Sequence, residues 1–175
     1  RRTFQAIRLL PRLTVLENVM LGADDGRRLL QPLFRPFAAA RSDRRAREAA
    51  ETALARVGLA DFSRDYPDAL PYGHQRRVEI ARALASGPKL LLLDEPVAGM
   101  SSAERSEIAD VLLGLKAEGL TQLLIEHDLG LVTSITDHLV VMDFGKVIAD
   151  GDPKKVTLED NVREAYLGRG RHDAA

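Results

Sequence analysis

Four consecutive leucines, Leu90 to Leu93, run straight into Asp94-Glu95-Pro96. So short a block, wholly aliphatic and closed by a turn signal, reads as a central strand buried on both faces. Its neighbours fit that reading. Gly73 to Ala85 has the spacing of a helix and is closed by Gly87-Pro88. Ser101-Ser102-Ala103-Glu104 spells a capping box, after which Ile108, Val111, Leu112 and Leu115 form a helical stripe that stops at Gly119. Thr121 to Ile125 is strand-like again. Strand, helix and strand in alternation predict an α/β fold with a mostly parallel sheet.

A helical region precedes that core. Thr14-Val15-Leu16-Glu17 is a second capping box, and Val15, Val19 and Met20 continue it at helical spacing. Gly26, Pro32 and Pro36 punctuate the stretch from Gly22 to Pro36, which is expected to be a loop. Ser42 to Val57 then carries Ala46, Ala49, Ala50, Ala53, Leu54 and Val57 on one face of an amphipathic helix. Arg41, Arg44, Arg45 and Arg47 gather at the start of this helix, and with 25 basic against 26 acidic residues and a net charge of -1 they read as a solvated face. A nucleic-acid partner is not expected. Downstream, Asp128 to Ile135 predicts a helix, and His138 to Met142 with Lys146 to Ala149 predicts a small hairpin around Asp143-Phe144-Gly145. That tripeptide spells a kinase metal motif but has no catalytic-loop partner, so it reads as a turn. At 175 residues the chain is one domain or most of one, without cysteine for a disulfide or thiolate metal site. It has no apolar run near the roughly 20 residues of a spanning helix.

Four segments carry chemistry. Asp94 and Glu95 stand at the C-terminal end of the leucine strand, where α/β sheets bind ligands. Asp94 suits Mg²⁺, and Glu95 suits the orientation or deprotonation of a water attacking a phosphate; the same residues also suit a plain strand end. Leu70-Pro71-Tyr72-Gly73-His74-Gln75 leads into a helix whose N-terminus favours an anion, and it equally suits an ordinary turn. His127 in Glu126-His127-Asp128 ends the next strand, placed either to hydrogen-bond a phosphate or as a surface histidine. Gln5 precedes the helical region.

Taken in chain order, Gln5, then Leu70 to Gln75, then the four leucines with Asp94-Glu95-Pro96, then His127, the four segments resemble the ATPase subunit of ABC transporters, across essentially the whole chain and most specifically from about Leu70 to Ile148. The resemblance implies a P-loop NTPase-like, mostly parallel sheet with helices on both faces and an inserted helical subdomain, incomplete at the N-terminus. It divides the chain into a helical subdomain at about 6–72 with the signature loop at 70–75, an α/β core at about 73–150, and a C-terminal helix and tail at 151–175. It implies that Gln5 contacts Mg²⁺ or the attacking water, that Asp94 supports Mg²⁺, that Glu95 is the general base and that His127 touches the γ-phosphate. Leu70, Tyr72, Gly73, His74, Gln75 and Ser101 would meet the ATP held by a second ATPase subunit, identical or different. Permease subunits in the membrane and, indirectly, a substrate-binding protein are the further implied partners, with the chain on the inner face of the membrane. Leu70-Pro71-Tyr72-Gly73, the string Asp94 to Ser101 and the ending Glu164-Ala165-Tyr166-Leu167-Gly168 are similar to branched-chain amino-acid importers.

The chain also departs from the pattern. Pro71 stands where most signatures carry a phosphate-binding Ser, His74 replaces a Gln, and Ser101 replaces an Asp. A phosphate loop needs Gly, four residues, then Gly-Lys-Ser or Gly-Lys-Thr, whereas Gly145-Lys146 has Val140 and Val147 at the outer positions. The chain opens Arg1-Arg2-Thr3, which reads as a cut inside a longer protein, and the phosphate loop is expected upstream. The 175 residues alone are expected not to turn over ATP. Two other functions compete: an ABC-type ATPase outside transport, and a docking module that keeps the fold without the chemistry.

Overall fold

A computed structural model describes residues 9–23 and 36–169. Gln5, most of the expected loop between Gly22 and Pro36, and the tail from residue 170 lie outside the described residues. The chain divides into two compact units, one through Ile125 and one from Glu126.

The first unit begins with α1 (Val15–Met20), capped as its sequence predicts: Thr14 N–H donates to Glu17 Oε2 at 2.7 Å, and Glu17 N–H donates to Thr14 Oγ1 at 3.3 Å. Asn18, wholly buried, holds the entry to this helix. Its amide donates to the carbonyls of Leu10, Leu13 and Thr14, and its Oδ1 accepts from Leu10 N–H at 2.8 Å. The long helix α2 (Pro36–Arg56) starts six residues before the expected Ser42. Pro36 opens it because a first helical position needs no N–H and suits the fixed φ of proline. Ala46, Ala50, Ala53 and Leu54 face inward, while Arg44 pairs with Glu48 and Arg47 with Glu51 on the solvent side. Those exposed i,i+4 pairs are the solvated face that the composition implies. Two 3₁₀ turns, at Ala60–Phe62 and Pro67–Ala69, lead to α3 (Tyr72–Leu84). The α1 helix packs on α2 and α3, and just past its end an added Cβ at Gly22 would collide with the Arg82 carbonyl.

Strand β1 (Leu90–Asp94) and strand β2 (Thr121–Ile125) pair in parallel through α4 (Ser102–Ala117), register Leu90 to Thr121 through Asp94 to Ile125. Alternation replaces the expected two-sided burial. Leu91 and Leu93 are buried, whereas Leu90 is 43% exposed and Leu92 half-buried. Successive side chains point to opposite faces, and among the described residues β1 has only β2 beside it, so it is not a central strand there. The core gathers Val15, Val19, Leu54, Val57, Val78, Ile80, Leu91, Leu93, Ile108, Leu112 and Leu115.

The second unit holds α5 (Leu129–Ile135), the antiparallel hairpin of β3 (Leu139–Asp143) and β4 (Lys146–Gly151), and α6 (Pro153–Val156) with α7 (Asp160–Arg169). The hairpin turn is Phe144-Gly145, with φ of +43° and +78°; two left-handed residues in a row match the twist of the flanking strands. Val141, Ala149, Val156 and Val162 form its small core.

Candidate functional site

The residues expected to carry chemistry cluster first at the C-terminal end of β1. Asp94 is the last strand residue and is half-buried. Glu95 follows with φ +44°, a left-handed backbone that side-chain-bearing residues adopt only when their surroundings hold them there. Its N–H donates to the Ile125 carbonyl at 2.9 Å, carrying the β1–β2 pairing one residue past the strand. Its carbonyl accepts from Arg76 Nη2 at 3.0 Å, and the next carbonyl, of Pro96, accepts from Arg76 Nε at 3.1 Å.

Arg76 lies on α3 with none of its side chain exposed, and Nη1 meets Glu79 Oε2 at 2.8 Å. Arg82 Nη2 stands 3.5 Å from the other Glu79 oxygen. A charge this deep requires a partner, and the i,i+3 carboxylate supplies it. Neither Arg76 nor Glu79 stands out in the sequence. The available signal was a pair of charges three residues apart on the otherwise apolar face of Val78, Ile80 and Ala81.

The second cluster is the start of α3. Leu70 is buried, and its carbonyl accepts from Gln75 Nε2 at 3.0 Å, so these two shape the loop from within. Tyr72 is exposed. Gly73 is buried, and its N–H donates to Glu104 Oε1 at 3.1 Å. An added Cβ there would press on Glu104 Cγ and Oε1 at 3.2 Å, which gives the glycine a packing reason. His74 sits edge-on to Phe62, ring centroids 5.0 Å apart, with Nδ1 buried and lacking a hydrogen-bond partner among the described residues. Burial, and then the nearby Arg77 guanidinium, pull its pKa below the usual imidazole value. It is thereby held toward the neutral form.

Ser101 joins this cluster through Glu104. Its hydroxyl donates to Glu104 Oε2 at 2.7 Å, its N–H donates to the same oxygen at 3.0 Å, and Glu104 N–H returns a bond to the hydroxyl at 3.4 Å. One carboxylate therefore caps α4 and also takes the Gly73 amide. Hydrogen bonds from the Ser101 side chain and backbone, then from Gly73, hold the Glu104 pKa below the usual carboxylate value.

His127 belongs to the second unit. Its side chain is 72% exposed, while that of Glu126 is 1% exposed. His127 N–H donates to Glu126 Oε2 at 3.3 Å, and its carbonyl accepts from the Tyr166 hydroxyl at 2.8 Å. Asp128 caps α5 through the Leu131 amide at 3.0 Å.

Among the described residues no group of three or more histidines and carboxylates gathers to hold a metal unaided. The single carboxylate of Asp94 fits Mg²⁺ nonetheless, because that ion is commonly held by one or two carboxylates plus substrate phosphates and water. A shallow groove of about 430 Å³ lies elsewhere, between α2 and the C-terminal end of α3, lined by Arg45, Glu48, Thr52, Arg56, Leu84 and Gly87 among others. No described helix is long and apolar enough to cross a membrane.

Comparison with known proteins gives consistent results. A family described as "ABC transporter" matches residues 1–98. The high-affinity branched-chain amino acid transport ATP-binding protein BraF of Pseudomonas aeruginosa is 41% identical over 170 residues, covering 95% of this chain and 67% of that protein. The ADP conformation of an ATP-binding cassette of an ABC transporter superposes with a TM-score of 0.77 at 34% identity, over 95% of this chain and 67% of that one. A dimeric bacterial ABC transporter cassette gives 0.65 at 30% identity, over 87% of this chain and 62% of that one.

Proposed function

The chain is a member of the ABC transporter family, and on that premise we propose that it forms the hydrolytic part of an importer's ATP-binding subunit, with branched-chain amino acids as the cargo. The cargo assignment rests on the likeness to BraF and on the strings Leu70 to Gly73, Asp94 to Ser101 and Glu164 to Gly168. The catalytic assignment rests on one observation above the others: two adjacent carboxylates end a parallel strand, and the second is locked in a left-handed turn by a buried guanidinium.

Glu95 accepts the proton of the water that attacks the γ-phosphate, and its fixed backbone keeps the carboxylate aimed at one place. Asp94 would contribute an oxygen to Mg²⁺, which when bound would supply charge neutralisation on the phosphates. His127 reaches out of its exposed turn to donate to the γ-phosphate, and Gln5 adds a ligand to the ion or the water. Tyr72, Gly73 and His74 at the α3 N-terminus, with Leu70 and Gln75 shaping the loop and Ser101 beside it, receive the ATP of a second subunit. Backbone donors and the helix terminus carry that contact, since Pro71 has no hydroxyl to offer. The Gly73 amide must exchange Glu104 for phosphate when the pair closes.

Closure then drives permease subunits, with the chain peripheral on the inner face of the membrane and a binding protein supplying solute. By function the chain divides into a helical subdomain over about 6–72, a core over about 73–150 and a C-terminal segment over 151–175. The 175 residues contain no phosphate-loop motif and by themselves are inactive. Glu95→Gln in the complete ATP-binding subunit tests the reading. Turnover is expected to fall by about 10²- to 10⁴-fold with ATP binding and pairing retained. Undiminished turnover refutes it, as does a 175-residue chain that hydrolyses ATP as fast as the complete subunit.

A further inference from the structure

Arg76 is the largest fully buried side chain described, and its contacts reach beyond the Glu95 turn to the rest of its own helix. We propose that Arg76 is the positioning residue for Glu95: it fixes the turn that aims the base and ties that turn to the helix that receives the second subunit's nucleotide. The inference rests on the catalytic role proposed for Glu95.

Three bonds carry it. Nε and Nη2 take the carbonyls of Pro96 and Glu95, and Nη1 takes Glu79 on the same helix. Two successive carbonyls pinned by one rigid plane leave the intervening peptide little freedom to rotate. The residue thus immobilised is the one with φ +44°, whose backbone would otherwise relax toward the extended region that a residue before proline favours. Relaxation would swing the Glu95 carboxylate away while leaving Asp94 in the β1 ladder, where it pairs in register with Ile125. An arginine is required in this place. Its planar fork spaces separate donors for the two carbonyls and the carboxylate, whereas a lysine offers one flexible ammonium. Because Glu79 anchors the guanidinium to α3, any shift of that helix reaches the Glu95 carbonyl through a rigid connector rather than through loose packing. The first turn of the helix holds Gly73, where the second subunit's phosphate is proposed to bind, so nucleotide arriving there acts on the base of the same chain.

The experiment compares Arg76→Lys, Glu79→Gln and Glu95→Gln in the complete ATP-binding subunit, with kcat normalised to the ATP bound per folded chain. For Arg76→Lys, kcat is expected to fall at least about tenfold with KM for ATP unchanged, set against the ~100-fold that a 1 Å misplacement can cost. For Glu79→Gln, which keeps the guanidinium but loosens it, the fall is expected to be smaller and in the same parameter. A general structural defect would lower bound ATP and leave the normalised kcat intact, and that result overturns the proposal. So does a rise in KM at constant kcat. If Glu95→Gln itself turns over normally, the catalytic assignment has failed; if only the Arg76 variant does, the assignment stands and this inference has failed. Should both replacements prevent folding, hydrogen exchange of the unaltered protein decides. The Arg76 Nε proton and the Glu95 amide are then expected to show the same opening free energy once each rate is referred to that group's intrinsic exchange rate, and protection about tenfold lower at Arg76 overturns the link.

Discussion

The two parallel strands β1 and β2 end in turns of similar composition and opposite construction. After β1, Asp94-Glu95-Pro96 is held from inside by a fully buried guanidinium, and the backbone at Glu95 is left-handed. After β2, Glu126-His127-Asp128 buries the side chain of Glu126 and leaves the imidazole 72% exposed, while the His127 carbonyl accepts from the Tyr166 hydroxyl. The contrast matches the proposed tasks. A base must be aimed before the substrate arrives, because misdirection costs rate directly. A group that reads a terminal phosphate and responds to it gains from standing in solvent on a light tether.

If this contrast is right, removing the interior support should cost most. Arg76→Met strands Glu79 and two carbonyls, and breaking a buried pair costs about 3–5 kcal/mol. The lower end is expected, since Arg82 remains 3.5 Å from Glu79. Urea unfolding measures it, and a loss below about 1 kcal/mol, the worth of one ordinary hydrogen bond, would break the comparison. One step further out, Gly22→Ala forces α1 off the Arg82 carbonyl and so strains the seat of α3. Overpacking of this kind costs about 1–3 kcal/mol. An unchanged midpoint would show that the support of the β1 turn stops at α3.

A smaller effect is expected at the cap that joins Ser101 to the α3 N-terminus. Ser101→Ala removes one capping hydroxyl, worth about 1 kcal/mol. The same site gives a pH dependence with a definite sign. Glu104 and Glu17 both have folded-state pKa values lowered, by hydrogen bonds from Ser101 and then Gly73 in one case and from Thr14 in the other. A depressed carboxylate stabilises the fold above its ordinary value, and that stability is lost as pH falls through the folded value. Unfolding midpoints should therefore be level near neutrality and decline only below the usual glutamate range. Ser101→Ala should flatten part of that decline, and an equal decline in the variant would separate Glu104 from it.

Local signals made much of this legible. Both capping boxes, the strand at Thr121 to Ile125 and the turn at Phe144-Gly145 depend on neighbours within four residues, and the chain states them outright. The adjacent carboxylates marked the candidate site for the same reason. What escaped was long-range. Leu90 is exposed because burial of a strand face depends on which strands flank it, and four leucines in a row do not say. The bond from Gly73 to Glu104 spans 31 residues, and that from Arg76 to the Glu95 carbonyl spans 19. No periodicity encodes either. Gln5 lies outside the described residues, and His127 belongs to the second unit, so their convergence on Glu95 stays with the proposal.

The finest test of the contrast is at its weak side. Tyr166→Phe deletes the hydroxyl that donates to the His127 carbonyl at 2.8 Å and leaves the ring in place. An exposed bond of this type exchanges readily with water, so the loss should not exceed about 0.5 kcal/mol, several times less than at Arg76. His127 would keep its exposed position but lose a fixed point, and the expected change in unfolding midpoint is close to the error of the measurement. A loss comparable to that of Arg76→Met would mean that the second turn is as rigidly supported as the first. The difference in construction would then reside in solvent exposure alone, and the argument from rigid base to tethered sensor would have no mechanical footing.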